Sequence, residues 1–243
     1  MTTYRESLVI QEKYKVLSGS ALKCIALVTM MIDHVAVVLL KNSHIVLLRT
    51  GTDPLTLYTV MRKIGRLSFP IYCFLLVEGF LHTHDRKKYG LNLLLFALIS
   101  EIPWNLEHTG MLRYAGQNVF FTLFLGYLGL CCLEYLKEQP HRQLGALLLL
   151  VLTAICLKAD YGVAGFGFIL LLYLLREQKI LQAVLGTCFL TSSWAGGLAF
   201  IPINRSTGRR GFIRGKVLKY LFYAAYPVHI LILYWIRKNT IGY

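Results

Sequence analysis

RKIGRLSFPIYCFLLVEGFLHT, residues 62–83, starts basic, turns apolar for about one membrane crossing, and carries Glu78 and His82 inside the apolar run. A charged group near the centre of a bilayer costs about 3 kcal/mol or more. Glu78 is therefore expected to have a function or a partner among other helices. Glu78 and His82 are four residues apart and share one helical face, and Pro70 is expected to kink the first turns.

The rest of the chain has the same character. Of its 243 residues 56% are hydrophobic and 16% charged, with a mean hydropathy of +0.56. A soluble domain is about a quarter charged. The expected class is an all-α integral membrane protein, a polytopic bundle of about eight transmembrane helices at roughly 20 residues each. The formal charge of +14 would suggest nucleic acid in a soluble protein. Here the bases lie between apolar runs, which points to topology and anionic lipid headgroups, with a share left for an anionic substrate. No nucleic-acid partner is expected. All six cysteines lie inside apolar runs without metal-ligand or disulfide spacing, and read as small buried hydrophobes.

Residues 1–20 form a polar segment without the apolar core or small-residue cleavage site of a secretory signal. Residues 21–237 are expected to form a single transmembrane domain and 238–243 a short tail. The first apolar run, Ala21–Leu40, contains Asp33-His34, and at least one of these should face other helices. Lys41–Lys63 reads as a connection. Helix 2 is expected from Arg66 to His82, helix 3 from Leu91 to Leu106 with Glu101 just before Pro103, and helix 4 from Asn118. Gly126 and Gly129 would allow close packing. The apolar stretch Leu144–Leu175 breaks at Lys158–Gly162, as two short helices with a tight turn or as one broken helix. Helix 7 is expected over Ile180–Ile203, including Ser192-Ser193, followed by a strongly basic loop. Helix 8 is expected over Val217–Ile236, with Pro227 and His229 inside it. With eight crossings the two sides carry 13 Lys and Arg each, so charge bias gives no orientation. The polar first twenty residues favour cytoplasmic termini.

Asp33, Glu78, Glu101 and Asp160, with His34, His82 and His229, are more titratable groups than the packing of a small bundle needs. Such groups mark ion pathways, proton relays or catalytic cavities. No phosphate loop, HExxH motif or nucleophile elbow is present, and no metal site is expected. His44, His108 and His141 lie in polar connections and read as solvated. Two classes remain: an intramembrane enzyme using His and Asp/Glu as acid and base, or a proton-coupled transporter using them as a relay. The sequence shows no internal repeat of the transporter kind, which favours the enzyme. A scaffold for another membrane protein would show neither activity.

Six stretches together carry a specific resemblance: LKCIALVTMMIDHVAVVL (22–39), GRLSFPIYCFLLVEGFLHT (65–83), LISEIPWNL (98–106), NVFFTL (118–123), DYGVAGFGFILLLY (160–173) and FYAAYPVHILIL (222–233). They are spread over nearly the whole chain, from 22 to 233, which resembles the TraX family, membrane proteins named for the acetylation of conjugative pilin. The resemblance implies a bacterial inner-membrane, multi-pass protein that transfers acetyl from acetyl-CoA to an amine, the pilin N-terminus in the prototype. The acceptor here is expected to be an amine or hydroxyl on a peptide, sugar or lipid-linked group. The family is also similar to broader membrane acyltransferases with an intramembrane catalytic histidine. His34 with Asp33 is the first candidate for the base, His229 the second, and His82 with Glu78 the third. Arg62, Lys63 and Arg66 are expected to bind CoA phosphates, and Asn118 or Tyr226 to polarise the thioester carbonyl. Glu101 and Asp160 are expected to line the cavity.

Overall fold

In the computed structural model, which describes residues 12–41, 45–50, 53–190 and 194–240, the first apolar run becomes α1, Gly19–Val35. Ser18 starts it, its Oγ accepting from the Ala21 amide at 3.2 Å, which satisfies one orphan donor of the first turn. A single π-helical turn, Ala36–Leu40, continues it. The predicted connection Lys41–Lys63 is instead structured. It holds an antiparallel hairpin of β1, Val46–Thr50, and β2, Asp53–Thr56, then α2, Leu57–Gly65, capped by Thr56. His44 and Gly51 lie outside the described residues.

Predicted helix 2 is α3, Ser68–His82, which follows α2 after a break at Arg66-Leu67. The proline explains the break. Pro70 has no N–H to give to the Arg66 carbonyl four residues earlier, and its ring clashes with that carbonyl. The predicted kink inside α3 becomes an interruption before it. By contrast α4, Arg86–Thr109, runs straight through Pro103 and stops only at Gly110, whose φ of 68° suits a left-handed cap. Asn118 caps α5, Val119–Tyr135. Side chains of α7 lie against Gly126 and Gly129, Ile169 on the first and Phe166 with Leu170 on the second, so the predicted close packing is present.

The stretch from 144 to 175 is two helices, α6, Pro140–Leu157, and α7, Gly162–Leu174. Positive φ at Lys158, Tyr161 and Gly162 makes the turn. Predicted helix 7 is not continuous. It forms α8, Lys179–Phe189, then a 3-10 segment, Trp194–Ala199, leading into α9, Phe200–Asn204. The two arms fold back on each other: Phe200 packs on Gly186 and Thr187 on Gly197, where side chains would collide. Ser192-Ser193 lie outside the described residues. The last helix is α10, Lys216–Thr240, which carries the bundle beyond the predicted limit at 237.

This hairpin decides where the chain ends lie. Asn204–Lys216 returns to the end of the bundle where α1 starts, with Gly19 N donating to Arg209 O (2.8 Å) and Ser20 N to Arg210 O (3.0 Å). α10 then runs the full length, so that Arg237 reaches Glu107 at the end of α4. The first described residues and the last therefore sit at opposite ends, not on one side as expected. The six bases of the 204–219 segment join the α1-start end, and Arg237 and Lys238 leave it. Among the described residues, sixteen Lys and Arg now belong to that end and nine to the other.

One apolar core runs through the bundle, with Leu22, Phe80, Leu130, Phe168 and Ile230 fully or almost fully buried. Outside it, α6 is nearly bare: Leu148, Leu149, Leu152 and Ile155 are exposed and only Ala154 is buried. A surface this apolar needs a non-aqueous solvent. Four helical stretches, Gly19–Leu40, Leu57–His82, Pro140–Leu157 and Lys216–Thr240, are long and apolar enough to cross a membrane. The chain is a helical membrane protein. The cysteines are free, but Cys156 and Cys188 are exposed on its surface instead of buried. An apolar run does not reveal which of its faces points inward.

Candidate functional site

A cavity of about 1090 Å³ extends along the bundle between α1, α3, α4 and α10. At the end away from the start of α1 it is lined by His34, which pairs with His229 of α10. His229 Nδ1 lies 2.6 Å from the carbonyl oxygen of Ala225 on its own helix, so Nδ1 carries the proton and Nε2 is an acceptor. His34 Nδ1 lies 2.5 Å from that Nε2 and must be the donor. The rings stack with centroids 4.7 Å apart. This chain of bonds fixes both tautomers and leaves His34 Nε2 as the free lone pair of a ring that lines the cavity.

Asp33 does not assist His34 in this arrangement. Its Oδ2 takes the Arg62 guanidinium at 2.5 Å, and its Oδ1 is buried without a hydrogen-bond partner among the described residues. The carboxylate packs directly on Gly65, where any Cβ would overlap it. Asp33 thereby ties α1 to α2. Arg62 and Arg66 line the cavity, whereas Lys63 is exposed and off it.

Tyr226, one turn before His229, meets both histidines edge-on with centroids 5.9 Å away. Its hydroxyl is buried and has no hydrogen-bond partner among the described residues. Asp160 lines the same end, its Oδ1 accepting from the Tyr161 amide at 3.1 Å. Tyr161 stacks on Phe69 with centroids 3.6 Å apart.

Two residues expected at the cavity are elsewhere. Asn118 is fully buried; its Oδ1 accepts from Phe120 N (3.0 Å) and its Nδ2 donates to Ala97 O (2.8 Å) and to Glu101 Oε1. Glu101 also accepts from Asn118 N at 3.0 Å. Every polar atom of the amide is engaged in joining α4 to α5, so it has none to offer a carbonyl. Glu78 and His82 lie at the opposite end of the cavity from His34. His82 is mostly exposed, with Nδ1 2.8 Å from the Glu78 carbonyl and 3.9 Å from its carboxylate.

Sequence reasoning missed one pair at the site. His108, expected in a solvated loop, ends α4 on the cavity wall. Its Nδ1 lies 2.7 Å from Glu107 Oε2, and its ring packs between Trp104 and Tyr114. The helix signal through Gly110 was available, but Pro103 argued for an earlier end.

Fold and site together define a helical membrane protein with a long cavity, mainly apolar between charged ends, at one end of which His34 is hydrogen-bonded to His229. The chain belongs to the TraX family: the family's model, described as TraX protein, matches residues 18–237. A probable fimbrial assembly protein, FimC of serogroup H1 from Dichelobacter nodosus, is 30% identical over 245 aligned residues, covering 89% of this chain and 94% of that protein. No solved structure matches the chain.

Proposed function

We propose that this chain is a multi-pass acetyltransferase of the bacterial inner membrane. It would take acetyl from acetyl-CoA and pass it to an amine or hydroxyl acceptor, His34 being the base. The His34–His229 relay carries this reading. An ammonium must lose a proton before it attacks a thioester, and a positioned histidine contributes typically 10²–10⁴-fold to such a step. The ammonium first releases one proton to solvent; the neutral amine then attacks the acetyl carbonyl while giving a second proton to His34 Nε2, the C–N bond forms, the C–S bond breaks, and the imidazolium returns that proton to the departing thiolate. Tyr226 supplies a hydroxyl, close to the Val119 amide, whose own proton is available to the developing oxyanion. Asp160 and Glu107 offer carboxylate oxygens to an acceptor amine at that end of the cavity, beside Arg62, Arg66 and His108.

Membership of the TraX family and the name of the Dichelobacter relative favour an acceptor on a pilin-type subunit, presented as a free amine. For topology, we propose seven helical passages (α1, α2 with α3, α4, α5, α6, α7 and α10) plus the α8–α9 hairpin, which enters and leaves at one face. The excess of bases favours a cytoplasmic start of α1, with the histidine end towards the outer face.

The test uses the full-length protein in membrane vesicles, labelled acetyl-CoA, and a synthetic peptide with one free N-terminal amine. Label should enter the peptide with the wild type and fall by at least about 100-fold with His34→Ala. Undiminished transfer by that variant would remove His34 from the mechanism. A cavity with acids, bases and histidine at both ends also suits a proton-coupled transporter. Substrate-dependent proton movement in proteoliposomes without acetyl-CoA would replace the enzyme reading.

A further inference from the structure

The end of the cavity away from the histidines is ringed by Lys23, Lys88, Arg209, Arg210, Lys216 and Lys219. Four chain segments bring them together: α1, the start of α4, the 204–216 segment and the start of α10. They crowd one another. Lys23 feels Arg210 and Lys219, and Lys219 feels Lys88 and Arg210, opposed by Asp85. None of the six forms an ion pair among the described residues. The acids on this part of the wall are Glu78 and Asp85, and Asp85 is engaged in capping α4 through the Lys88 amide at 2.9 Å. Six cations outnumber these two carboxylates; the excess of like charge repels, and a polyanion in the cavity would relieve that repulsion.

The backbone holds this arrangement. The carbonyls of Arg209 and Arg210 are bonded to the first amides of α1. Ser20 Oγ both donates to Arg210 O (2.8 Å) and accepts from Ile213 N (2.7 Å). The backbone of the two arginines is thus fixed at the mouth of the cavity, whose wall both residues join while remaining exposed.

We propose that this basic end binds the phosphates of the acyl donor, a 3′-phosphorylated ADP, and that the donor's pantetheine arm lies along the cavity to present its thioester to His34. The proposal rests on the acetyltransferase reading above. Length supports it. Lys23 and His34 are eleven residues apart on α1, about 16 Å at ~1.5 Å per residue. An extended pantetheine arm spans ~14 Å by the bond geometry that gives an extended chain ~3.4 Å per three bonds. Between the two ends the wall is mainly aromatic and aliphatic, with Tyr72, Tyr89, Leu123 and Tyr223, which suits a slender, weakly polar arm. The phosphate-binding role moves from Arg62 and Arg66, beside the histidines, to the opposite end. The acetyl group is then loaded at one face and transferred near the other.

The experiment is calorimetric titration of the full-length protein, in nanodiscs of phosphatidylcholine alone, with acetyl-CoA and with dephospho-CoA. Arg210→Gln and Lys219→Gln should each weaken acetyl-CoA binding about tenfold or more. Loss of the 3′-phosphate should weaken it similarly. Arg66→Gln should bind like the wild type. Arg210→Lys and Lys219→Arg keep the charge and should also bind like the wild type, which separates charge from misfolding. Binding that survives both glutamine variants and is lost in Arg66→Gln overturns the proposal and leaves the enzyme reading standing. Acetyl-CoA binding indifferent to the 3′-phosphate and to both glutamine variants, combined with loss of phosphatidylglycerol-vesicle binding in those variants, assigns the bases to headgroups and also overturns it. No acetyl-CoA binding by the wild type withdraws the acetyltransferase reading itself.

Discussion

Gly65→Ala should be destabilising although alanine is the better helix former. Gly65 ends α2 in ordinary helical backbone, so the substitution alone should gain about 1 kcal/mol of propensity. A Cβ at this position would overlap the Cβ, Cγ and Oδ1 of Asp33 together. Because Asp33 Cβ is anchored to the α1 backbone, no flexible chain tip can absorb the overlap, and α1 and α2 must separate. Overpacking of this kind costs typically 1–3 kcal/mol, and the rigid contact places it near the upper end. The net loss is about 2 kcal/mol, or roughly 4–8 °C of melting temperature in a chain of this size. The separation also strains the Asp33–Arg62 pair and displaces the neighbouring His34, so transfer should fall with stability. A double-mutant cycle isolates the cause. In an Asp33→Gly background the obstruction is gone, and Gly65→Ala should turn stabilising by up to about 1 kcal/mol. Thermal unfolding in detergent reads all four proteins. Gly65→Ala with the stability of wild type, or an equal cost in both backgrounds, would refute the packing argument.

Three further outcomes are expected. His229→Ala should lower the rate of transfer about 10–100-fold at unchanged donor affinity, and His229→Gln, whose carbonyl can still accept the His34 Nδ1 proton, should recover part of it; equal rates for the two would break the relay. Asn118→Ala removes a helix cap and leaves the Glu101 carboxylate a partner short, so melting should reveal a loss of about 2–4 kcal/mol, with activity per folded molecule preserved. Alkaline phosphatase fused after Thr240 should be active outside the cytoplasm while a fusion within 206–215 stays inactive. Activity on the same side for both would return the chain ends to one face.

Much of the local structure is legible in the residues. Ser18, Asp85 and Asn118 announce helix starts, Gly110 a stop, and Lys158–Gly162 a turn, because caps and left-handed residues act within a few positions. Prolines misled in both directions. Pro70 stood for a kink and produced a full break, while Pro103 stood for an end and is absorbed by a helix that Trp104 and Asn105 tie to the following loop.

By itself the sequence determined the membrane class, the family and most of the titratable groups that lie in apolar runs. Hydrocarbon imposes those on composition and length, which need no knowledge of neighbours. Only the tertiary structure decided which of those groups meet. His34 and His229 are 195 residues apart, Asp33 turned to Arg62 instead of to His34, and Glu101 with Asn118 became a lock between helices. The bases of 204–216 moved to the other end because a hairpin replaced one helix. Helices apolar on nearly every face carry little stripe to say which side points inward. Partner choice rests on packing between distant segments, where a glycine admits a carboxylate or one ring finds another.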